Sequence, residues 1–278
     1  MMDLFTGSRH APAAVQPRWQ ADTKGINPAP VHRRKLVVAN WKMYGSLAMC
    51  QEAVPLLASV ATAEVGIVLC PPAPYLGEVA RLAQSTQVQF SAQNVAETVD
   101  GARTGEWSAA MLNELGCRYA IVGHSERRQH HHEHDALIAA KAQACVDAGL
   151  TPIVCIGESW VERQTGQTEA ALLHQLNALL ATEGWRKAVI AYEPVWAIGT
   201  GQAATPEMAQ EVHAFLRSRL AAMDAAAADV MPLLYGGSVK ADNAAALFAM
   251  PDIDGALVGS ASLQISTLLQ IYAAACEA

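Results

Sequence analysis

Eight short apolar runs punctuate this chain and constrain its fold more than any other feature: KLVVANW from 35, GIVLC from 66, VQFSAQ from 88, YAIVGH from 119, TPIVCIG from 151, AVIAYE from 188, PLLYGG from 232 and GALVGS from 255. None keeps the strict apolar and polar alternation of a half-exposed strand. Each therefore reads as a strand covered on both faces, which is the mark of a parallel sheet. Their starts lie 22 to 44 residues apart, room for a strand and a crossover helix. Stretches rich in Ala, Leu, Gln and Glu fill gaps at 133–149, 167–183 and 206–226. TPEMAQE from 205 reads as a helix start in which Thr205 caps, Pro206 takes the first turn and Glu207 suits the dipole. The stretch AAMDAAAADV at 221–230 reads as a helix end and a loop. Eight strand and helix units predict an α/β chain folded as a single (β/α)8 barrel. The rival, an open doubly wound sheet, would more often carry a glycine-rich nucleotide turn, and neither GxGxxG nor GxxxxGK[ST] occurs.

The 278 residues fit one barrel, and 52% hydrophobic against 16% charged residues can bury a large core. Residues 31–278 are assigned to the barrel domain. Residues 1–30, rich in Pro, Ala and Arg without periodicity, are read as a flexible N-terminal extension. The net charge is −7, but residues 1–35 hold six Lys/Arg against Asp3 and Asp22. The rest therefore has 13 Lys/Arg against 24 Asp/Glu, a balance of −11. An acidic body argues against nucleic acid as a partner. The six cysteines form no CxxC pair and sit mostly in apolar runs, as free thiols in a reducing compartment do. With no signal-like start and no apolar stretch of membrane-spanning length, the expected location is cytoplasmic, away from membrane.

Barrel enzymes place their chemistry at the C-terminal ends of the strands. Here those ends supply Asn40 and Lys42 after the first run, His124 and Glu126 after the fourth, Glu193 after the sixth, Ser238 after the seventh, and Gly259 with Ser260 after the eighth. A strand-end carboxylate without a cofactor motif or clustered metal ligands suits proton abstraction beside a carbonyl, which makes Glu193 the base. Charge then grows on the carbonyl oxygen and needs donors already in place. His124, Lys42 and Asn40 are available. Gly199, Gly236, Gly237 and Gly259 let backbone N–H groups approach a phosphate closely, and Ser238 adds a hydroxyl. PVWAIGTG at 194–201, directly behind Glu193, reads as a closing lid. No cofactor is called for. QHHHEHD at 129–135 gathers four imidazoles, read as a solvated, pH-sensitive surface with no metal assigned.

The stretches VVANWKM (37–43), AQNV (92–95), TGEWSAAML (104–112), IVGHSERR (121–128), CIGE (155–158), AYEPVWAIGTG (191–201), YGGSV (235–239) and LVGSASL (257–263) resemble the triosephosphate isomerase family, in its order and over roughly 35 to 275. The resemblance implies a TIM barrel that interconverts dihydroxyacetone phosphate and D-glyceraldehyde 3-phosphate, a step of glycolysis and gluconeogenesis, without a cofactor. It implies Glu193 as base and His124 as a neutral electrophile, a pairing for which this family is itself the standard example. Asn40, Lys42, Gly199, Ser238, Gly259 and Ser260 become substrate-binding residues. It also implies a homodimer in which the long polar insert at 96–111 enters the partner and Thr104 supports Asn40 and Lys42 there. Two departures stand out. Ser260 replaces a second glycine, and the far lid hinge reads Gln202-Ala203-Ala204. Two other functions compete: a phosphate-binding lyase with Lys42 as a Schiff base, and a catalytically silent barrel.

Overall fold

The computed structural model describes residues 33–198 and 204–278. Every expected strand forms, and each is followed by at least one helix. β1 (Leu36–Asn40) leads to α1 (Leu47–Val60), β2 (Gly66–Cys70) to α2 (Leu76–Leu82), and β3 (Gln89–Ala92) to α3 (Ala109–Leu115). β4 (Tyr119–Val122) is followed by α4 (Ser125–His131) and α5 (Asp135–Asp147), and β5 (Thr151–Ile156) by α6 (Trp160–Gln164) and α7 (Thr168–Leu180). β6 (Val189–Tyr192) precedes α8 (Pro206–Met223) and α9 (Ala225–Val230). β7 (Leu233–Tyr235) precedes α10 (Ala244–Phe248), and β8 (Gly255–Val258) precedes α11 (Ile265–Cys276). The strands pair in sequence order, all parallel, and β8 closes on β1 with Leu36 opposite Gly255. This is a (β/α)8 TIM barrel.

Two apolar layers explain why the strand runs do not alternate. Leu36, Val38, Val68, Cys70, Ile121, Ile153, Cys155, Leu234 and Leu257 fill the barrel interior. Val37, Ala39, Ile67, Leu69, Val122, Val154 and Val258 point outward into the layer beneath the helices. Both faces are buried, so both positions of the pleat must be apolar. Five cysteines are buried within these layers, and Cys276 alone is exposed.

Helix starts follow local chemistry. Thr205 accepts from the Met208 N–H at 3.2 Å with Pro206 behind it, as the sequence predicts. The expected loop after α8 is instead a second short helix. Asp224 ends α8 in an extended conformation and accepts from the Ala227 N–H at 3.1 Å, so one residue both stops a helix and caps the next. Ser108 likewise caps α3, which leaves 96–108 as the irregular part of the long insert. Among the described residues no helix is long and apolar enough to cross a membrane.

Candidate active site

The pocket is built at the C-terminal strand ends, and the exit from β4 sets its centre. Gly123 turns at φ 70, a left-handed conformation in which a Cβ would also meet the Ile138 side chain at 2.8 Å. That turn places His124 at the N-cap of α4, where its Nδ1 accepts from the Glu126 backbone N–H at 3.2 Å. A nitrogen whose lone pair accepts carries no proton, so the hydrogen-bond pattern assigns the proton of the neutral ring to Nε2. Nε2 faces Oε1 of Glu193 at 3.0 Å.

Glu193 follows β6 and is 2% exposed. Its Oε2 accepts from the Ser125 backbone N–H at 3.0 Å. Neighbouring glycines make room for it: a Cβ on Gly157 would lie 1.7 Å from the Glu193 carbonyl oxygen, and one on Gly236 2.8 Å from its Cγ. Burial pushes the Glu193 carboxyl up, but the His124 charge and hydrogen bond, the Ser125 N–H and Lys42 together hold it below the usual carboxylate range. Burial pulls His124 down in turn, and Glu193 with Glu126 lifts it above the usual imidazole value. Protonating Nδ1 would cost the bond from Glu126, so that lift depends on Glu193 staying against Nε2.

Lys42 sits just beyond β1 with φ 52, a left-handed conformation that costs a residue with a side chain on the order of 1–2 kcal/mol. Three hydrogen bonds fix this segment. Asn40 Oδ1 accepts from the Lys42 N–H at 3.0 Å, and Gln93 Nε2 donates to the carbonyls of Lys42 and Cys70, both at 2.8 Å. The ammonium itself donates to Glu126 Oε1 at 2.6 Å. Asn40 thus spends its oxygen on the backbone, which leaves its amide N–H groups for the pocket.

Gly236, Gly237 and Ser238 follow β7, and Asn243 Nδ2 donates to the Ser238 carbonyl at 3.0 Å to pin that turn. A Cβ on Gly237 would lie 2.2 Å from the Tyr235 hydroxyl, and one on Gly259 3.4 Å from Lys42 Cε. Ser260 opens a short 3-10 turn, Ser260–Leu263, and is not among the residues with a left-handed φ. Serine is therefore free of strain at that position. Asn40, Lys42, His124, Glu193, Ser238, Gly259 and Ser260 all line one cavity of about 990 Å³. Gly199 falls outside the described residues, as do Gly201, Gln202 and Ala203 of the stretch expected to form a lid and its hinge. Residues 1–30 also fall outside them.

Sequence reasoning did not foresee three supports. Gln93 holds Lys42, and the Ser125 N–H holds Glu193 through backbone alone, which no side-chain pattern announces. Glu158, fully buried, accepts from the Tyr192 hydroxyl at 3.0 Å and the Trp196 indole N–H at 2.9 Å, anchoring the segment that follows the base. A carboxylate closing the CIGE stretch was the available signal. Among the described residues no group of three or more His, Cys, Asp or Glu is arranged to hold a metal. His134 instead caps α5 by accepting from the Leu137 N–H at 3.2 Å.

The family model described as triosephosphate isomerase matches residues 35–275. The chain belongs to the triosephosphate isomerase family. It is 52% identical over 247 residues to a protein named triosephosphate isomerase from Xanthomonas euvesicatoria pv. vesicatoria (strain 85-10), covering 87% of this chain and 98% of that one. It is 51% identical to one of the same name from Stenotrophomonas maltophilia (strain K279a), with the same coverage. The triosephosphate isomerase match takes in every strand and every residue of the pocket. Ser260 and the Gln202-Ala203-Ala204 stretch lie within it too.

Proposed function

We propose that this member of the family interconverts dihydroxyacetone phosphate and D-glyceraldehyde 3-phosphate by moving a proton between adjacent carbons, with Glu193 as the base. The observation that carries the reading is a fully desolvated carboxylate 3.0 Å from an imidazole whose only free proton points at it. Glu193 removes a proton from the substrate carbon, and electrons shift onto the neighbouring carbonyl oxygen to give an enediolate. His124 Nε2–H and the Lys42 ammonium stabilise that oxygen, and Glu193 returns the proton to the adjoining carbon. The Gly237, Ser238, Gly259 and Ser260 turns offer N–H groups to the phosphate.

The ligand-free arrangement also supports a way of switching the base on. Glu193 is held below its ordinary pKa by donors that include His124. A substrate oxygen that takes the Nε2–H withdraws that donor, while burial, which raises a carboxyl, stays. Basicity thus rises when substrate binds. The Lys42 Schiff-base reading is disfavoured by the 2.6 Å contact with Glu126, which engages the side-chain nitrogen that would have to attack a carbonyl.

The assembly belongs to the same reading. The cavity reaches the top of the usual range for small-molecule sites, about 300–1,000 Å³, so a triose phosphate fills only its inner part. Its outer part is lined by Met43, 94% exposed, with Tyr44, His130 and His131. The 99–106 tip, with Val99 77% exposed, stands away from its own barrel. We infer a homodimer in which each tip fills the other's outer cavity and Thr104 braces Asn40 and Lys42 there. A cytoplasmic location fits six free cysteines. A coupled assay on the purified protein, with either triose phosphate as substrate, tests the activity: turnover in both directions supports it, and none in either refutes it.

A further inference from the structure

The opposite end of the barrel is unlike the rest of this acidic chain. Arg33, Arg34 and Lys35 precede β1, Arg118 precedes β4, and Arg186 with Lys187 precedes β6. In a parallel barrel all strands start on one rim, so three separate basic stretches converge on the N-terminal mouth. Some of this charge is answered. Arg33 Nε donates to Asp254 at 2.6 Å, Arg186 Nε to Asp224 at 2.7 Å, and Lys35 Nζ to the Phe248 carbonyl at 2.7 Å. Arg34, Arg118 and Lys187 make no side-chain hydrogen bond or ion pair among the described residues.

A cavity of about 200 Å³ opens among these cations, and no Asp or Glu lines it. Arg34, Lys35, Arg186 and Lys187 form its polar rim, while Tyr119, Val230 and Pro232 give it an apolar floor over the buried Leu36, Val189 and Met231. An adjoining hollow of about 620 Å³ shares Arg34 and adds Arg81 and Arg118, with Glu114 as its one carboxylate. Burial pulls the Lys35 pKa down, with Arg33 adding to that and Asp254 opposing it. Two unanswered cations, Arg34 and Lys187, beside an apolar floor match a ligand that is anionic at one end and a flat, apolar ring at the other. Guanidinium groups also stack on such rings and hold phosphate in a two-pronged grip.

We propose that the N-terminal mouth of the barrel is a second binding site, for a nucleotide-like anion whose phosphates lie on Arg34 and Lys187 and whose ring rests on Tyr119, Val230 and Pro232. The site shares no residue with the catalytic pocket, and isomerisation makes no use of it. Isothermal titration of the full chain with ATP, inorganic tripolyphosphate and adenosine tests the idea, with the double variant Arg34→Gln/Lys187→Gln beside the wild type. ATP is expected to bind, tripolyphosphate more weakly because it leaves the floor empty, and adenosine least. The double variant is expected to lose about tenfold in ATP affinity as two rim charges go, with its isomerase KM unchanged. Equal ATP affinity in wild type and variant, displacement of ATP by dihydroxyacetone phosphate, or no ATP binding at millimolar concentration would each overturn the proposal.

Discussion

The roles proposed for Glu193 and Lys42 differ, and each assignment fails in its own way. Glu193→Asp retracts the carboxylate by one carbon while keeping its charge. Because proton transfer needs near-contact geometry, kcat is expected to fall on the order of 10²-fold with KM little changed. Steady-state kinetics in both directions read this directly, and near-normal turnover would remove Glu193 from the role of base. Lys42→Met keeps the stem and deletes the charge. A lost donor to the developing oxyanion typically costs on the order of 10²–10³ in rate, so kcat/KM should fall at least that far. Wild-type protein treated with dihydroxyacetone phosphate and borohydride should gain no mass. A trapped adduct at Lys42 would move the chain to the lyase chemistry.

At the scale of the element, α8 carries a titration switch for stability. His213 lies on its buried face, with Nδ1 3.0 Å from the Asp252 carbonyl, which can only accept, and a Nε2 that has no hydrogen-bond partner among the described residues. The ring is therefore neutral with its proton on Nδ1. Burial pulls its pKa from 6.5 to about 4, against the pull of the Asp252 carbonyl and the Asp254 charge. The folded state binds fewer protons than the unfolded chain between those values. Stability is thus intact above pH 6.5 and falls as pH drops towards 4, by roughly 3 kcal/mol in all. His213→Asn keeps a donor for Asp252 and cannot titrate, so its melting temperature should change much less from pH 6.5 to 4 than that of the wild type. An unchanged slope in the variant would refute this. The elements themselves were largely legible, because strands buried on both faces write continuous apolar runs and caps such as Thr205 are local. Asp224 was not, since an acidic residue in a run of alanines signals a stop and a start equally well. At the site, the placement of Glu193 and His124 in one cavity could be read from strand ends. Gln93 and Glu158 could not, because they act by reaching across from neighbouring strands, and register is invisible before the barrel closes.

In the proposed dimer each barrel would complete the other's site. Thr104 is exposed and does not line its own cavity, so any role it has at a catalytic site lies in another copy. Replacing 101–106 with a short Gly/Ser turn should give a folded monomer whose activity falls steeply, because the proposed two-fold interface would brace both sites at once. Ultracentrifugation with the coupled assay decides it, and a monomer of full activity would contradict the dimer's part in the site. The central claim is proton transfer by Glu193, and hydrogen exchange tests it most directly. Dihydroxyacetone phosphate incubated with the protein in D2O should take up deuterium at the carbon that loses its proton, followed by NMR. Glu193→Gln, which keeps the shape and removes the base, should bind the substrate and exchange nothing. Exchange at the wild-type rate in that variant would contradict the account.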